Sequence, residues 1–296
     1  MWAQFFVKDR HCPFQDILKK EEKKMKKLIR TVIALLLVLT FTGCSGNKPD
    51  GGSDKVIKVG ATLVPHAEIL KNVVASTLAK DGWTLEVVEF NDYVTPNTAL
   101  ESGELDANYF QTLGYLNGEN DSRGLHLVAV VGVHIEPMGI YSLKVNSIAE
   151  LPDGAEIGVP NDTDNCNRAL ELLVAKGLLT GVDDVNVINR SEALNPHGFE
   201  IVPIEAASLP RSLEDLDAAV INGNYALEAG YSVGKDSIAY ESSDSVAAQT
   251  YVNIIAVYEG HENDDKIKAL VAVLRSDEIK QFITDTYDGA VIFFEK

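Results

Sequence analysis

Cysteine is scarce. Cys12, Cys44 and Cys166 are the only three in 296 residues, too few and too scattered for a disulfide framework. The fold must therefore rest on an apolar core, and 46% hydrophobic content over this length is enough for two α/β lobes. Positive charge is also short: 26 Lys and Arg stand against 44 Asp and Glu, a formal charge of −18. That balance lacks the basic footprint that neutralises phosphates, so it argues against nucleic acid as a partner. The one long apolar run, residues 32–41, falls well short of the ~20 residues that span a bilayer. His66, His134 and His197 form no close-spaced pair, and the acidic start at Asp162 and Asp164 is broken by Cys166 and Asn167. Neither a metal site nor a cofactor is expected on those spacings. Nothing beside Cys166 in the sequence would lower its pKa, which argues against a nucleophilic role.

The basic residues that are present crowd the beginning. Lys26, Lys27 and Arg30 precede the apolar run, and small residues then lead to Cys44, so residues 25–43 read as a signal peptide. Phe41-Thr42-Gly43-Cys44 resembles a bacterial lipobox, with Phe41 where leucine is usual. The resemblance implies acylation of the Cys44 thiol, with palmitate among the chains added, and a mature N-terminus at that residue. Residues 1–24 carry Lys19, Lys20, Glu21, Glu22, Lys23 and Lys24 ahead of a complete signal sequence. Met25 is therefore the expected start and 1–24 a mis-assigned upstream extension. Residues 44–55 are small, polar and glycine-rich after the cysteine, as in a flexible tether. Residues 44–296 keep 17 Lys and Arg and 40 Asp and Glu, a formal charge of −23. Anionic membrane surfaces would repel such a domain, so the acyl chain must do the anchoring.

Beyond the tether, strand and helix signals alternate. VIKVGA (56–61) reads as a buried strand, the segment through residue 82 as a helix with Ile69, Leu70, Val73, Val74 and Leu78 at helical spacing, and 83–90 as a second strand. Helices are expected over 92–102 and 111–117, and a strand over 125–134. After the turn at 151–154 a new strand (155–160) and a helix (168–179) open a second lobe. Strands at 215–222 and 251–257 and closing helices over 264–287 complete an α/β pattern. No repeat of fixed period is visible.

Residues 90–116, FNDYVTPNTALESGELDANYFQTLGYL, set Tyr93, Phe110 and Tyr115 among Asn91, Asn97, Asn108 and Gln111. Aromatic walls with a few amides suit a pocket for a small ligand; a helix and strand edge carrying structural amides is the plainer alternative. FNDYVTPNTAL followed by G-x-x-DANYFQ resembles the methionine-binding lipoproteins of the NlpA/MetQ family, which serve bacterial ABC importers. Four further segments match in the same order: VGATLVPHAEIL (59–70), EPMGIYS (136–142), VPND (159–162) with Arg168 downstream, and LPRSL through AAVINGNYA (209–226). The resemblance implies a two-lobed periplasmic-binding-protein-like fold of type 2 with two crossings, near 137–142 and 245–252. Lobe 1 would then comprise 56–139 plus 248–296 and lobe 2 would comprise 140–247.

It further implies a monomeric, lipid-anchored protein outside the cytoplasm that captures L-methionine or a close relative for an ABC permease and its separate ATPase subunit. D-methionine, another amino acid or a methionine-containing dipeptide is the alternative ligand; a surface interaction lipoprotein without transport is the rival class. A buried zwitterion needs both charges compensated. Arg168 matches the family's binding arginine in NDxxNxGR, and its planar fork can grip both carboxylate oxygens. Asn165, Asn222 and Asn224 can donate to the carboxylate or accept from the ammonium; Asn222 matches the binding asparagine in AVINxxYA. Tyr93, Phe110 and Tyr115 would line the side-chain pocket, where a thioether gains ~0.3–1.5 kcal/mol from a well-placed ring. Where the family usually reads FQHxPYL, this chain has Thr112 for the histidine and Gly114 for the proline. Asn167 replaces the glycine before Arg168. Thr112 is smaller than an imidazole, which enlarges the pocket or admits water.

One enzyme-like pattern stands out, Gly230-Tyr231-Ser232-Val233-Gly234. A nucleophile elbow needs a strand before its serine and a helix after it, whereas NYALEA before this one has helical composition. No enzyme activity is expected.

Overall fold

The computed structural model describes residues 55–242 and 250–295. The upstream residues 1–24, the signal segment, Cys44 and the tether up to residue 54 lie outside the described residues. Strand β1 (Val56–Thr62) becomes fully buried along its second half. Two wide turns, Leu63–Ala67 and Leu70–Val74, lead into α1 (Ala75–Lys80), and Ile69, Leu70, Val73, Val74 and Leu78 all face the core. Strand β2 (Thr84–Phe90) returns parallel to β1. Helix α2 (Thr95–Glu101) begins three residues later than the expected 92. The Asp92 carboxylate is the reason: it accepts from the N–H groups of Val94 (2.7 Å) and Thr95 (2.6 Å) and so caps the turn from outside it.

The helix expected over 111–117 divides differently. Gln111 and Thr112 end strand β3 (Ala107–Thr112), which pairs with β1, and α3 runs over Leu113–Arg123. Gln111 stays in the strand because its amide is consumed by Asn97 and Asn108 in a buried network, at 2.7–2.9 Å. Strand β4 (Leu127–Ile135) follows.

The chain then leaves the first sheet through Glu136, Pro137 and Met138. Strand β5 (Gly139–Tyr141) already pairs with the second sheet, Gly139 lying opposite Ile221, and Met138 is buried in the second lobe's core. The change of lobe thus falls before residue 139, not after it. Next come β6 (Glu156–Pro160), α4 (Thr163–Ala175), α5 (Val185–Ile188), β7 (Glu200–Ile204), α6 (Leu209–Ser212), β8 (Ala218–Ile221), α7 (Gly223–Glu228), α8 (Val233–Asp236) and β9 (Ser237–Tyr240). Of the second crossing, expected near 245–252, residues 245–249 lie outside the described residues, as do 243 and 244. Strand β10 (Val252–Tyr258), α9 (Asp265–Leu274), α10 (Asp277–Tyr287) and β11 (Ile292–Phe293) complete the fold.

Two mixed sheets result. The first has the order β11-β4-β10-β3-β1-β2, with β10 antiparallel to both neighbours; the second has the order β7-β6-β8-β5-β9. Each lobe has its own core, built around Ile57, Val59, Leu70, Ile255, Leu270 and Ile283 in the first and Ile140, Ile157, Leu170, Leu173 and Val220 in the second. Among the described residues, no helix is long and apolar enough to cross a membrane.

Helix α4 shows how this frame aims side chains at the cleft. Asp162 caps it by accepting from the Asn165 N–H at 2.9 Å, its aliphatic face (Ala169, Leu170, Leu172, Leu173) enters the core, and its first turns carry Asn165 and Arg168. Asp162→Ala is expected to cost about 0.5–2 kcal/mol, as loss of an N-cap does. A urea titration would show this as a lower midpoint at unchanged slope; an unmoved midpoint would mean the cap contributes nothing.

Candidate functional site

The parallel strands β6 and β8 end side by side, and their carboxyl ends deliver Asn165 and Arg168 on one connection and Asn222 to Asn224 on the other. A ligand crevice forms outside such an edge in open α/β sheets. The first lobe faces it with Tyr93 from the loop after β2, Phe110, Gln111 and Thr112 from β3, and Tyr115 from α3. All eight residues singled out from the sequence, Tyr93, Phe110, Thr112, Tyr115, Asn165, Arg168, Asn222 and Asn224, line this one cavity; Gln111, Glu136, Gly223 and Asn253 line it too.

Arg168 is buried, and its fork is not free in the way expected. Nε donates to Glu241 Oε1 at 2.8 Å and Nη2 to Glu241 Oε2 at 2.7 Å, while Nη2 also donates to the Glu136 carbonyl at 2.7 Å. The guanidinium lies 4.4 Å from the Tyr251 ring centroid. A cation with about 4% of its surface exposed needs a counter-charge within the protein, and Glu241 supplies it on the bidentate face. Only Nη1 is left for a further acceptor among the described residues; the Nε/Nη2 face, expected to grip a carboxylate, is held by Glu241.

The asparagines form a relay. Asn165 Nδ2 donates to the Asp162 carboxylate at 2.9 and 3.1 Å, and Asn165 Oδ1 accepts from Asn222 Nδ2 at 2.7 Å. Asn224 Oδ1 accepts from the Tyr93 hydroxyl of the opposite lobe at 2.6 Å. Of the three buried side-chain atoms without a partner among the described residues, the Tyr141 hydroxyl lies outside the cavity lining and two belong to it, the acceptor Asn222 Oδ1 and the donor Asn224 Nδ2. An unpaired buried polar atom costs ~1–3 kcal/mol, so the pair marks where an outside group with one donor and one acceptor is wanted. The apolar wall is Tyr93, Phe110 and Tyr115, whose ring centroids lie 5.6–6.0 Å apart, with Tyr225 against Tyr93 at 4.8 Å.

Glu136, read from the sequence only as part of the crossing, lies at the cavity floor. Its Oε1 accepts from His134 Nε2 at 2.7 Å and lies 3.4 Å from His66 Nε2; the Asn224 N–H also donates to the carboxylate. Burial raises its pKa, against the opposing pull of His66, Arg168 and that N–H. Burial likewise pushes His66 down to about 4 and His134 to about 3, so both rings are neutral near pH 7. The sequence showed no close-spaced histidine pair, yet here His66, His134 and Glu136 bring three ligand-type atoms within 4.8 Å of one another. One tautomer set, assigned from the network, satisfies all of them. The Thr62 hydroxyl donates to His66 Nδ1 (2.8 Å), His66 Nε2 to Asn253 Oδ1 (3.0 Å), the Tyr109 hydroxyl to His134 Nδ1, and His134 Nε2 to Glu136. The cluster therefore works as a scaffold that orients Glu136.

Other sequence features fall away from chemistry. Ser232 is preceded by helix α7 and not by a strand, which removes the elbow context. Burial, then Asp162 and Asp184, push the Cys166 thiol up to about 11, so it is protonated at neutral pH.

Residues 57–294 match the profile of the NlpA lipoprotein family. The methionine-binding lipoprotein MetQ of Bacillus subtilis is 39% identical over 275 residues, covering 90% of this chain and 98% of that protein. Among solved structures, a lipoprotein from Ruminococcus gnavus is 53% identical with a TM-score of 0.77, covering 81% of this chain and all of the other. A nutrient-binding protein from Burkholderia cenocepacia, solved bound to methionine, is 40% identical with a TM-score of 0.73, covering 80% of this chain and 99% of its own.

Proposed function

Since the chain belongs to the NlpA lipoprotein family, we propose that it captures L-methionine, or a close relative, between its lobes and delivers it to an ABC permease. It would stand outside the cytoplasm on an acyl chain at Cys44, as a monomer whose two lobes turn about the crossings. It performs no chemistry; ATP hydrolysis belongs to a separate subunit.

The observation that carries this reading is that two buried polar atoms lining one cavity, the acceptor Asn222 Oδ1 and the donor Asn224 Nδ2, both lack a partner among the described residues. An α-ammonium and an α-carboxylate would satisfy one each. Glu136 adds a carboxylate for the ammonium, Arg168 Nη1 a donor for the carboxylate, and the three rings a polarisable wall for a thioether. D-methionine or a methionine-containing dipeptide presents the same groups in a different order, so stereochemistry and length must come from binding.

The test is thermal unfolding of residues 45–296, refolded to strip ligand, against L- and D-amino acids and methionine-containing dipeptides. A site filled at 100 times its dissociation constant adds ~2.7 kcal/mol. A shift with L-methionine supports the reading; a shift with another compound alone moves the ligand, and silence across the panel favours an interaction lipoprotein. Asn222→Ala and Asn224→Ala are each expected to weaken binding by about 1.5–3 kcal/mol, the scale of hydrogen bonds to charged groups. Calorimetry showing both unchanged would remove them from the site.

A further inference from the structure

Three residues outside the ring wall and the amide relay bring the lobes together. Thr112, at the end of β3 in the first lobe, caps α3, and its hydroxyl donates to Asp164 Oδ2 of the second lobe at 3.0 Å. The Tyr115 N–H at the start of α3 donates to the Thr112 hydroxyl at 3.3 Å and also acts on the Asp164 carboxylate, against the burial that raises its pKa. Asp164 sits in the first turn of α4, whose position is set by the second lobe's core. A carboxylate from one lobe thus occupies the N-terminal turn of a helix from the other, where partial positive charge favours it.

Gly114 makes the approach possible. A Cβ at residue 114 would lie 2.3 Å from Asp164 Oδ1, 3.0 Å from Cγ and 3.1 Å from Oδ2. The aspartate side chain is short, so it cannot keep the Thr112 bond and also clear a methyl group. Thr112 and Gly114 are the two positions where the chain departs from the pattern FQHxPYL, and both are used in this single contact.

We propose that Asp164 is a positioning residue that latches the lobes, seating on Thr112 and the α3 N-terminus through the gap left by Gly114, and so sets the closing equilibrium before ligand binds. The proposal rests on the cleft being the ligand site. On this account the Thr112 hydroxyl acts on closure and not on the choice of ligand. A latch that favours the closed form raises the binding-competent fraction, and apparent affinity rises with that fraction.

The experiment reads lobe separation directly. In residues 45–296 carrying Cys166→Ser, which leaves no other cysteine, spin labels at Asp121→Cys and Asp183→Cys, both exposed and in opposite lobes, report the inter-lobe distance without ligand. The expected result is a longer, broader distance in Gly114→Ala and in Asp164→Ala at unchanged melting temperature, with Asp164→Asn, which can still accept from Thr112, staying closed. Affinity for L-methionine should fall at least ~5-fold in Gly114→Ala but less than ~2-fold when the same change is made in Asp164→Ala, the range of coupling expected for contacting residues. Distances unmoved in both single variants would overturn the latch. So would an equal opening by Gly114→Ala whether or not Asp164 is present. Because the distances are taken without ligand, they stand even if no amino acid binds, so failure of the ligand reading and failure of the latch are separable.

Discussion

Replacing Arg168 by alanine is expected to remove about 3–5 kcal/mol of folding stability, the cost of breaking a buried ion pair by deleting one partner, and to abolish amino-acid binding. Glu241 is the reason for the first effect. Without Arg168 its carboxylate stays buried and, among the described residues, keeps the Met138 N–H as a hydrogen-bond donor at 2.9 Å. The Glu136 carbonyl loses its donor as well. A second variant separates folding from binding: Arg168→Met with Glu241→Met removes both charges and should recover most of the stability, as apolar replacement of buried pairs often does. Binding should stay lost, because the Nη1 donor is gone. Urea unfolding and calorimetry on the two proteins decide this. Full binding by the doubly substituted protein would show that Arg168 serves the fold alone.

Glu136→Gln is expected to weaken binding by about 2–5 kcal/mol, the range for truncating one member of a buried, hydrogen-bonded charge pair. Glutamine keeps the shape, and its Oε1 can still accept from His134, so the change is mainly one of charge. Within the protein Arg168 is matched by Glu241, leaving the Glu136 carboxylate as the group whose charge an ammonium would balance. The pH dependence has a definite sign. Burial raises the Glu136 pKa in the free protein, an ammonium prefers the ionised carboxylate, and binding therefore releases a proton wherever Glu136 is protonated. Affinity should fall as pH drops through that raised value. His66 and His134, held down to about 4 and about 3, stay neutral over the range above pH 5 and do not mask the effect. In Glu136→Gln the fall should be smaller, leaving what Asp162 and Asp164 contribute, since burial raises both of those carboxyls as well. A wild-type profile that matches the Glu136→Gln profile would mean that Glu136 does not meet the ammonium.

Element order was largely legible because it is local. The apolar spacing of residues 69–78 and the short buried runs at 56–61 and 155–160 announce helix and strands within a few residues of where they lie. Boundaries slipped where a partner far along the chain decided them. Gln111 reads as helical in its own neighbourhood, but the buried amides of Asn97 and Asn108 and the pairing of β3 hold it in a strand. Gly139 reads as the end of the first lobe until Ile221 is found opposite it.

For the site, the sequence by itself determined which residues gather: the rings at 93, 110 and 115, the amides at 165, 222 and 224, and Arg168, together with the processing signal around Cys44 and the acidic charge that argues against nucleic acid. Tertiary structure alone decided how they are satisfied. Glu241 lies 73 residues from Arg168 and His66 lies 70 from Glu136, separations over which no periodicity exists. A buried charge selects its partner only once water is excluded, because the desolvation cost that makes the pairing necessary arises on burial. The same holds for Gly114. In the sequence it is only a missing side chain; in the fold it is the space through which Asp164 reaches the other lobe.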